Sequence, residues 1–248
     1  MIITASIQKG GTGKTTTAAI LAQAAASKGK AVLAVDLDPQ GNLTYALGGK
    51  AGPPGSRGLL DGMDVKRLIQ GTAQGIDIVP ASWDLAAVKT EKGSARRLQK
   101  ALEPVRRIYD YIVIDAPAVA GELQYNALQA AEGLIIPLEA DIYNAASLFQ
   151  IAETAAQIRQ SNPKLRTLGI VCTKYDSRGK LSRNMLQSLK ETAAEMRIPY
   201  LGSVRAAVAV KEAAYLQRSL YEYAPKSKPA QDYMQIFEKI DGLASSAK

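Results

Sequence analysis

The stretch "QKGGTGKTTT", residues 8–17, constrains the fold of this chain more than any other segment. An apolar, β-branched run "MIITASI" precedes it and the alanine-rich "KTTTAAILAQAAASKGK" follows, so a tight glycine turn joins a strand to the start of a helix. Gly10, Gly11 and Gly13 have no Cβ, which lets the backbone turn sharply and aim successive N–H groups at an anion, while the helix beginning near Lys14 adds its positive dipole end. The general phosphate-loop pattern G-x-x-x-x-G-K-[ST] would place glycine at position 8, yet Gln8 stands there, and a second lysine, Lys9, precedes the expected Lys14. In such a cradle Lys14 reaches the β- and γ-phosphates of a nucleotide and the Thr15 hydroxyl ligates the accompanying magnesium. A glycine-rich turn before a surface helix is the plain alternative, and it does not account for the lysine and threonine at the required offsets.

Strands alternate with helices along the rest of the chain. Strands are predicted at residues 1–7, 31–38, 76–81, 109–117, 133–140, 167–176 and 200–205, several of them continuous apolar runs that suit strands covered on both faces. Helical segments at 14–27, 121–131, 143–160 and 181–196 supply those covers, and the expectation is one α/β domain over residues 1–248 with a doubly wound, mainly parallel sheet. Ligands of such sheets bind beyond the carboxyl ends of the strands, where the glycine loop, "AVDLDPQGN" and "IVIDAP" converge. The segment 48–62, "GGKAGPPGSRGLLDG", reads as a mobile glycine- and proline-rich excursion.

Composition removes several chemistries. Among 248 residues there is no histidine, which excludes histidine triads, histidine-ligated zinc and histidine general bases. The single cysteine, Cys172, lies in the apolar run "TLGIVCT" and reads as a buried strand residue. No apolar run reaches bilayer-spanning length and the start of the chain has no signal-peptide pattern, so the expected location is cytoplasmic. The formal net charge of +8 favours polyanionic partners.

Two acidic clusters remain. Asp115 ends the apolar strand "YIVID", where a nucleotide hydrolase of this class holds magnesium, usually through water; an aspartate capping a turn is the alternative. Asp36 and Asp38 alternate at the end of a strand that Pro39 stops, and two carboxylates there can assist magnesium or orient a water.

Taken together, these motifs resemble one family. "KGGTGKTT" looks like the deviant Walker A motif of the ParA/MinD ATPases within the P-loop NTPase fold, "DLDPQGN" like the ParA switch I segment, and "IVIDAP" stands where Walker B lies. The likeness continues through "ELQYNALQAAEGLIIPLEA", "TKYDSRGKLSRNMLQSLKE" and "YAPKSKPAQDYMQIFEKI", and it favours the short ParA/Soj-type partition proteins without an N-terminal DNA-reading domain. The resemblance implies a magnesium-dependent ATPase in which Lys9, Gly10, Gly11, Thr12, Gly13, Lys14, Thr15 and Thr16 bind ATP. It further implies that Lys9 crosses a dimer interface to the partner's nucleotide, that Asp38 orients the attacking water, and that Thr15, Asp36 and Asp115 form the magnesium region. Implied partners are a second copy in the ATP state, non-specific DNA on the nucleoid, and a ParB-like adaptor or centromere-binding protein.

Departures and rivals shape these expectations. "DAPAVAG" has one proline after the acid where the family usually has two, and "GSVRAA" replaces the "PRN" stretch, which leaves adenine recognition to other residues; Asn126 and the Thr173–Lys174 pair are candidates for base or coupling contacts, or else an interior amide and a strand-end lysine. One cysteine excludes a cluster-bridged iron protein. The tyrosines at 215, 221, 223 and 233 are spread through a helical region, which disfavours a tyrosine kinase with a tyrosine-rich tail. The runner-up is a MinD-like membrane rider, for which "YMQIFEKI" has some amphipathic spacing but the tail "IDGLASSAK" is small and polar. Lys211, Arg218, Lys226 and Lys228 form the local basic set for DNA.

Overall fold

The computed structural model describes residues 1–89, 94–141 and 144–245. Among the described residues eight strands form one sheet: β1 (Ile2–Ala5), β2 (Val32–Asp36), β3 (Gln70–Gly71), β4 (Asp77–Val79), β5 (Tyr111–Asp115), β6 (Gly133–Glu139), β7 (Arg166–Tyr175) and β8 (Tyr200–Arg205). Their spatial order is β3-β4-β2-β5-β1-β6-β7-β8, and every pairing is parallel except that of the two-residue β3 with β4. The helices are α1 (Lys14–Ser27), α2 (Asn42–Leu47), α3 (Gly55–Leu60), α4 (Arg97–Leu102), α5 (Glu122–Ala130), α6 (Asn144–Arg159), α7 (Lys180–Glu195), α8 (Val208–Tyr215), α9 (Leu220–Tyr223) and α10 (Lys228–Ser245).

Alternation along each strand sorts the side chains between two faces. Ile3, Val32, Ala34, Tyr111 and Val113 pack under α1, α2, α8, α9 and α10, while Ile2, Leu33, Val35, Ile112 and Ile114 pack under α3, α4 and α5. Toward the other edge Leu134, Ile136, Ile170 and the buried Cys172 meet α6 and α7. Continuing the alternation puts Asp36 and Asp115 on the α1 face, and the register makes them direct neighbours, Asp36 beside Asp115 and Asp115 beside Ala5. The strand order changes direction at β1, so the loop leaving β1 opens over this crevice.

Segment 48–62 departs from the expected excursion. Residues 55–60 form α3, whose Leu59 and Leu60 are buried among Val35, Leu37 and Leu98, and Ser56 donates its hydroxyl to the Asp36 carbonyl. Two adjacent leucines supply enough apolar burial to order a stretch whose glycines and prolines read as a loop. Asn126 is an interior amide: it accepts from Leu98 N–H and donates to Glu122, fastening α4 to α5, so it contacts no base. Residue 143, the first of the expected 143–160 helix, and residues 246–248 of the tail lie outside the described residues. The amphipathic C-terminal stretch is spent on the core, with Tyr233, Ile236, Phe237 and Ile240 buried against the sheet and α1. Among the described residues no helix is long and apolar enough to cross a membrane.

Candidate functional site: a phosphate cradle over two buried aspartates

Loop 6–13 leaves β1 and enters α1 through Gly11 and Gly13 at φ 76° and 85°, the left-handed region that glycine occupies without strain. A Cβ at Gly13 would also press on the Thr173 methyl at 3.3 Å, so this position needs glycine twice over. Gln8, where the general pattern has glycine, anchors the loop to α5 and α6, its amide donating to Gln124 Oε1 at 3.1 Å and Thr154 Oγ1 at 3.0 Å.

The two lysines are placed differently. Lys14 is buried and its ammonium donates to the Lys9 carbonyl at 2.7 Å across the mouth of the loop. Burial lowers its pKa, and the nearby Asp115 and Asp38 carboxylates oppose that shift. Lys9 points outward, about a quarter exposed, and pairs with Asp141 at 3.0 Å just beyond the end of β6. Thr15 and Thr16 are half-buried, and the Thr12 hydroxyl is buried without a hydrogen-bond partner.

Beneath the loop, Asp36 uses both carboxylate oxygens within the protein. Its Oδ2 accepts the backbone N–H and hydroxyl of Thr44 at 2.8 and 2.7 Å, and its Oδ1 accepts Asp38 N–H at 3.1 Å. Burial pushes its pKa up to about 6 despite those bonds. Sequence reading missed Thr44, two residues past the "DPQGN" motif, as the partner that fixes this acid. Asp38 is half-buried beyond the strand end and accepts Gln40 N–H at 3.0 Å through one oxygen, leaving the other available.

Asp115 is fully buried, and neither carboxylate oxygen has a hydrogen-bond partner. Burial and the neighbouring Asp36 drive its pKa well above the carboxylate range, while the Thr15 hydroxyl and Lys14 beside it pull the other way. An orphaned carboxylate next to a threonine hydroxyl under an N–H-lined loop fits a hydrated magnesium ion, which takes few protein ligands and completes its shell with water and phosphate oxygens. Among the described residues no group of three or more aspartate, glutamate or cysteine side chains is placed to hold a metal ion by itself.

A buried carboxyl whose ionisation is opposed by burial and whose oxygens lack hydrogen-bond partners costs stability. Asp115→Asn is therefore expected to raise the melting midpoint of the nucleotide-free protein by on the order of 5 °C while removing magnesium-dependent turnover. Thermal unfolding without nucleotide checks this; an unchanged or lower midpoint would show that the carboxylate is not a burden in the folded state.

Three further features frame the crevice. A pocket of about 410 Å³ lies against Gly13, Thr16, Thr173 and Lys174, with an apolar wall from Val204, Val208 and Val210. A second cleft, about 320 Å³, runs between α1, α2 and α8 and is lined by Thr15, Thr16, Asn42, Tyr45, Lys211 and Arg218. From the same α2, Tyr45 donates to the Tyr215 carbonyl, and the Gln74 amide holds both the Ala46 and Gln217 carbonyls at 2.9 Å. The two basic residues of this cleft belong to the set of four read from the sequence; Lys228 sits apart, over a cavity beside Arg178 and Arg205. Among the described residues none of Lys211, Arg218, Lys226 and Lys228 forms an ion pair.

Comparison with known proteins decides what this geometry belongs to. An AAA domain family matches residues 1–167. The chromosome-partitioning ATPase Soj of Thermus thermophilus is 36% identical over 94% of this chain and 92% of its own length. The chain belongs to the Soj/ParA family. It is an ATPase of that family, with the α/β, mainly parallel P-loop fold. A Mycobacterium smegmatis protein described as cobyrinic acid a,c-diamide synthase, solved with ADP and magnesium, superposes with a TM-score of 0.82 at 29% identity, over 100% of this chain and 96% of that one. An aspartate-to-alanine variant of Cyanothece McdA in complex with ATP superposes with a TM-score of 0.84 at 25% identity, over 98% and 96% of the two chains.

Proposed function

We propose that this Soj/ParA-family ATPase is a nucleotide-switched dimer that positions DNA, whether chromosome, plasmid or mobile element, and that it binds DNA without sequence preference in its ATP state. The observation that carries the reading is the unequal placement of the two lysines. Lys14 is buried at the mouth of its own cradle, while Lys9 faces outward in a partly exposed ion pair that a phosphate can replace. A cation that leaves Asp141 for the triphosphate of a second subunit makes assembly depend on that nucleotide, because two basic loops facing each other repel without their anions.

In this reading Lys9, Gly10, Gly11, Thr12, Gly13, Lys14, Thr15 and Thr16 surround the phosphates. The base takes the 410 Å³ pocket beside Gly13 and Thr16. Thr15 and Asp115 would hold magnesium, which would supply neutralisation of the charge on the nucleotide's phosphates. Asp36 keeps the segment after β2 in place through Thr44, and Asp38 orients the attacking water with its remaining oxygen. Loss of the γ-phosphate removes the anion that Lys9 reaches, and the dimer separates. A ParB-like adaptor stimulates that step, and the ATP dimer resides on the nucleoid in the cytoplasm. The membrane-riding alternative finds no support here, since the apolar face of α10 is buried.

Gel shift with random duplex DNA in ATP, ADP and no nucleotide tests the reading. DNA is expected to shift only with ATP, with log affinity falling against log salt by about 0.9 per phosphate contact. Lys9→Ala is expected to bind a fluorescent ATP analogue as the parent does, yet to lose ATP-dependent dimerisation and the DNA shift together. A Lys9→Ala protein that still dimerises with ATP would reduce that lysine to a surface charge, and co-sedimentation with anionic liposomes in place of a DNA shift would revive the membrane reading.

A further inference from the structure

The end of β7 grips the phosphate loop from outside. Thr173 donates its hydroxyl to the Thr12 carbonyl at 2.8 Å, and the next residue, Lys174, donates its ammonium to the Gly11 carbonyl at 2.7 Å while pairing with Glu139 Oε1 at 2.5 Å. Lys174 does this from φ 53°, a left-handed conformation that a lysine adopts only when its surroundings hold it there. Its side chain also walls the pocket beside Gly13 and Thr16.

Peptide planarity converts these outer bonds into inner geometry. In a trans peptide the C=O and the following N–H point in opposite directions. Drawing the Gly11 carbonyl outward therefore turns the Thr12 N–H inward, and drawing the Thr12 carbonyl outward does the same for the Gly13 N–H. Two consecutive donors of the cradle are set by two consecutive side chains of one strand. Gly11, at φ 76°, has no side chain of its own to hold the peptide that follows it.

We propose that Lys174, with Thr173, is a positioning residue for nucleotide binding: from the end of β7 it holds the Gly11 peptide so that the loop's N–H groups face the phosphates before nucleotide arrives. This rests on the nucleotide occupying the cradle, as proposed above. Preorganised donors bind without first having to be ordered, so their loss weakens ADP and ATP together and leaves the hydrolytic step, which depends on Asp38, largely as it was.

The test is a binding and turnover comparison of the parent with Lys174→Met, Lys174→Arg, Thr173→Val and the double variant Lys174→Met/Thr173→Val, using fluorescent ATP and ADP analogues and steady-state hydrolysis. Lys174→Met is expected to weaken both nucleotides by about tenfold and raise KM in step, with kcat within about threefold of the parent. Lys174→Arg, which keeps a donor and the charge facing Glu139, restores most of the affinity. The double variant loses less than the product of the single losses, since both bonds hold one loop. Lys174→Met affinity within twofold of the parent, failure of arginine to restore what methionine removes, or loss of kcat at unchanged KM would each overturn the proposal. Lys14→Ala in the same assay separates the two readings. If it binds like the parent, the nucleotide lies elsewhere and the site reading itself fails.

Discussion

Lys14→Ala is expected to abolish nucleotide binding, weakening it by at least about 100-fold. In the proposed site the ammonium would supply charge-assisted hydrogen bonds to two phosphate groups, each worth about 1.5–3 kcal/mol. Its burial raises the effect, because a cation already stripped of water at the loop mouth is released to the phosphates from a single carbonyl of Lys9. The substitution also removes a positive group that opposes the Asp115 and Asp38 carboxylates beneath the loop, so a phosphate entering the variant site would meet less compensated negative charge. Titration with a fluorescent ATP analogue measures the loss. Affinity within about threefold of the parent would show that the phosphates do not lie in this loop.

Asp38→Ala is expected to show the opposite pattern: ATP affinity within a few-fold of the parent and hydrolysis slowed by about 10²–10⁴-fold. The Asp38 carboxylate makes one local bond, to Gln40 N–H, so its removal disturbs little of the fold. With turnover blocked, the ATP-held dimer is expected to accumulate, seen as a shift to twice the monomer mass in size exclusion with ATP and magnesium. A variant that hydrolyses ATP at the parent rate would remove Asp38 from the reaction, and one that fails to bind ATP would assign it to binding.

The parts of the molecule that were legible beforehand share a physical origin. Strands β1, β2, β5, β6 and β7 are buried on both faces, so their apolar runs mark them directly, and α1 is announced by Gly13 and the alanine-rich stretch after it. Helices α2, α3 and α4 span six residues each, less than two turns, too short to display a periodic face. Asp36 and Asp115 could be picked out because each ends an apolar strand. Their partners could not. Thr44 lies eight residues from Asp36 on a helix without a pattern, and Asp141, which holds Lys9, lies 132 residues away from it. Pairings of that kind depend on the sheet order, which a single sequence does not display. The grip of Thr173 and Lys174 on the loop belongs to the same class, although their position at the end of a strand beside the crevice singled them out for notice.

The three bonds that join α2 to the loop after α8 have a mechanical consequence. Tyr45 and Gln74 connect the helix that follows Asp38 to the carbonyls of Tyr215 and Gln217, immediately before Arg218. Any displacement of α2 at the nucleotide is therefore passed through these bonds to the backbone that precedes Arg218, which ties the position of an outer cation to the segment that follows Asp38.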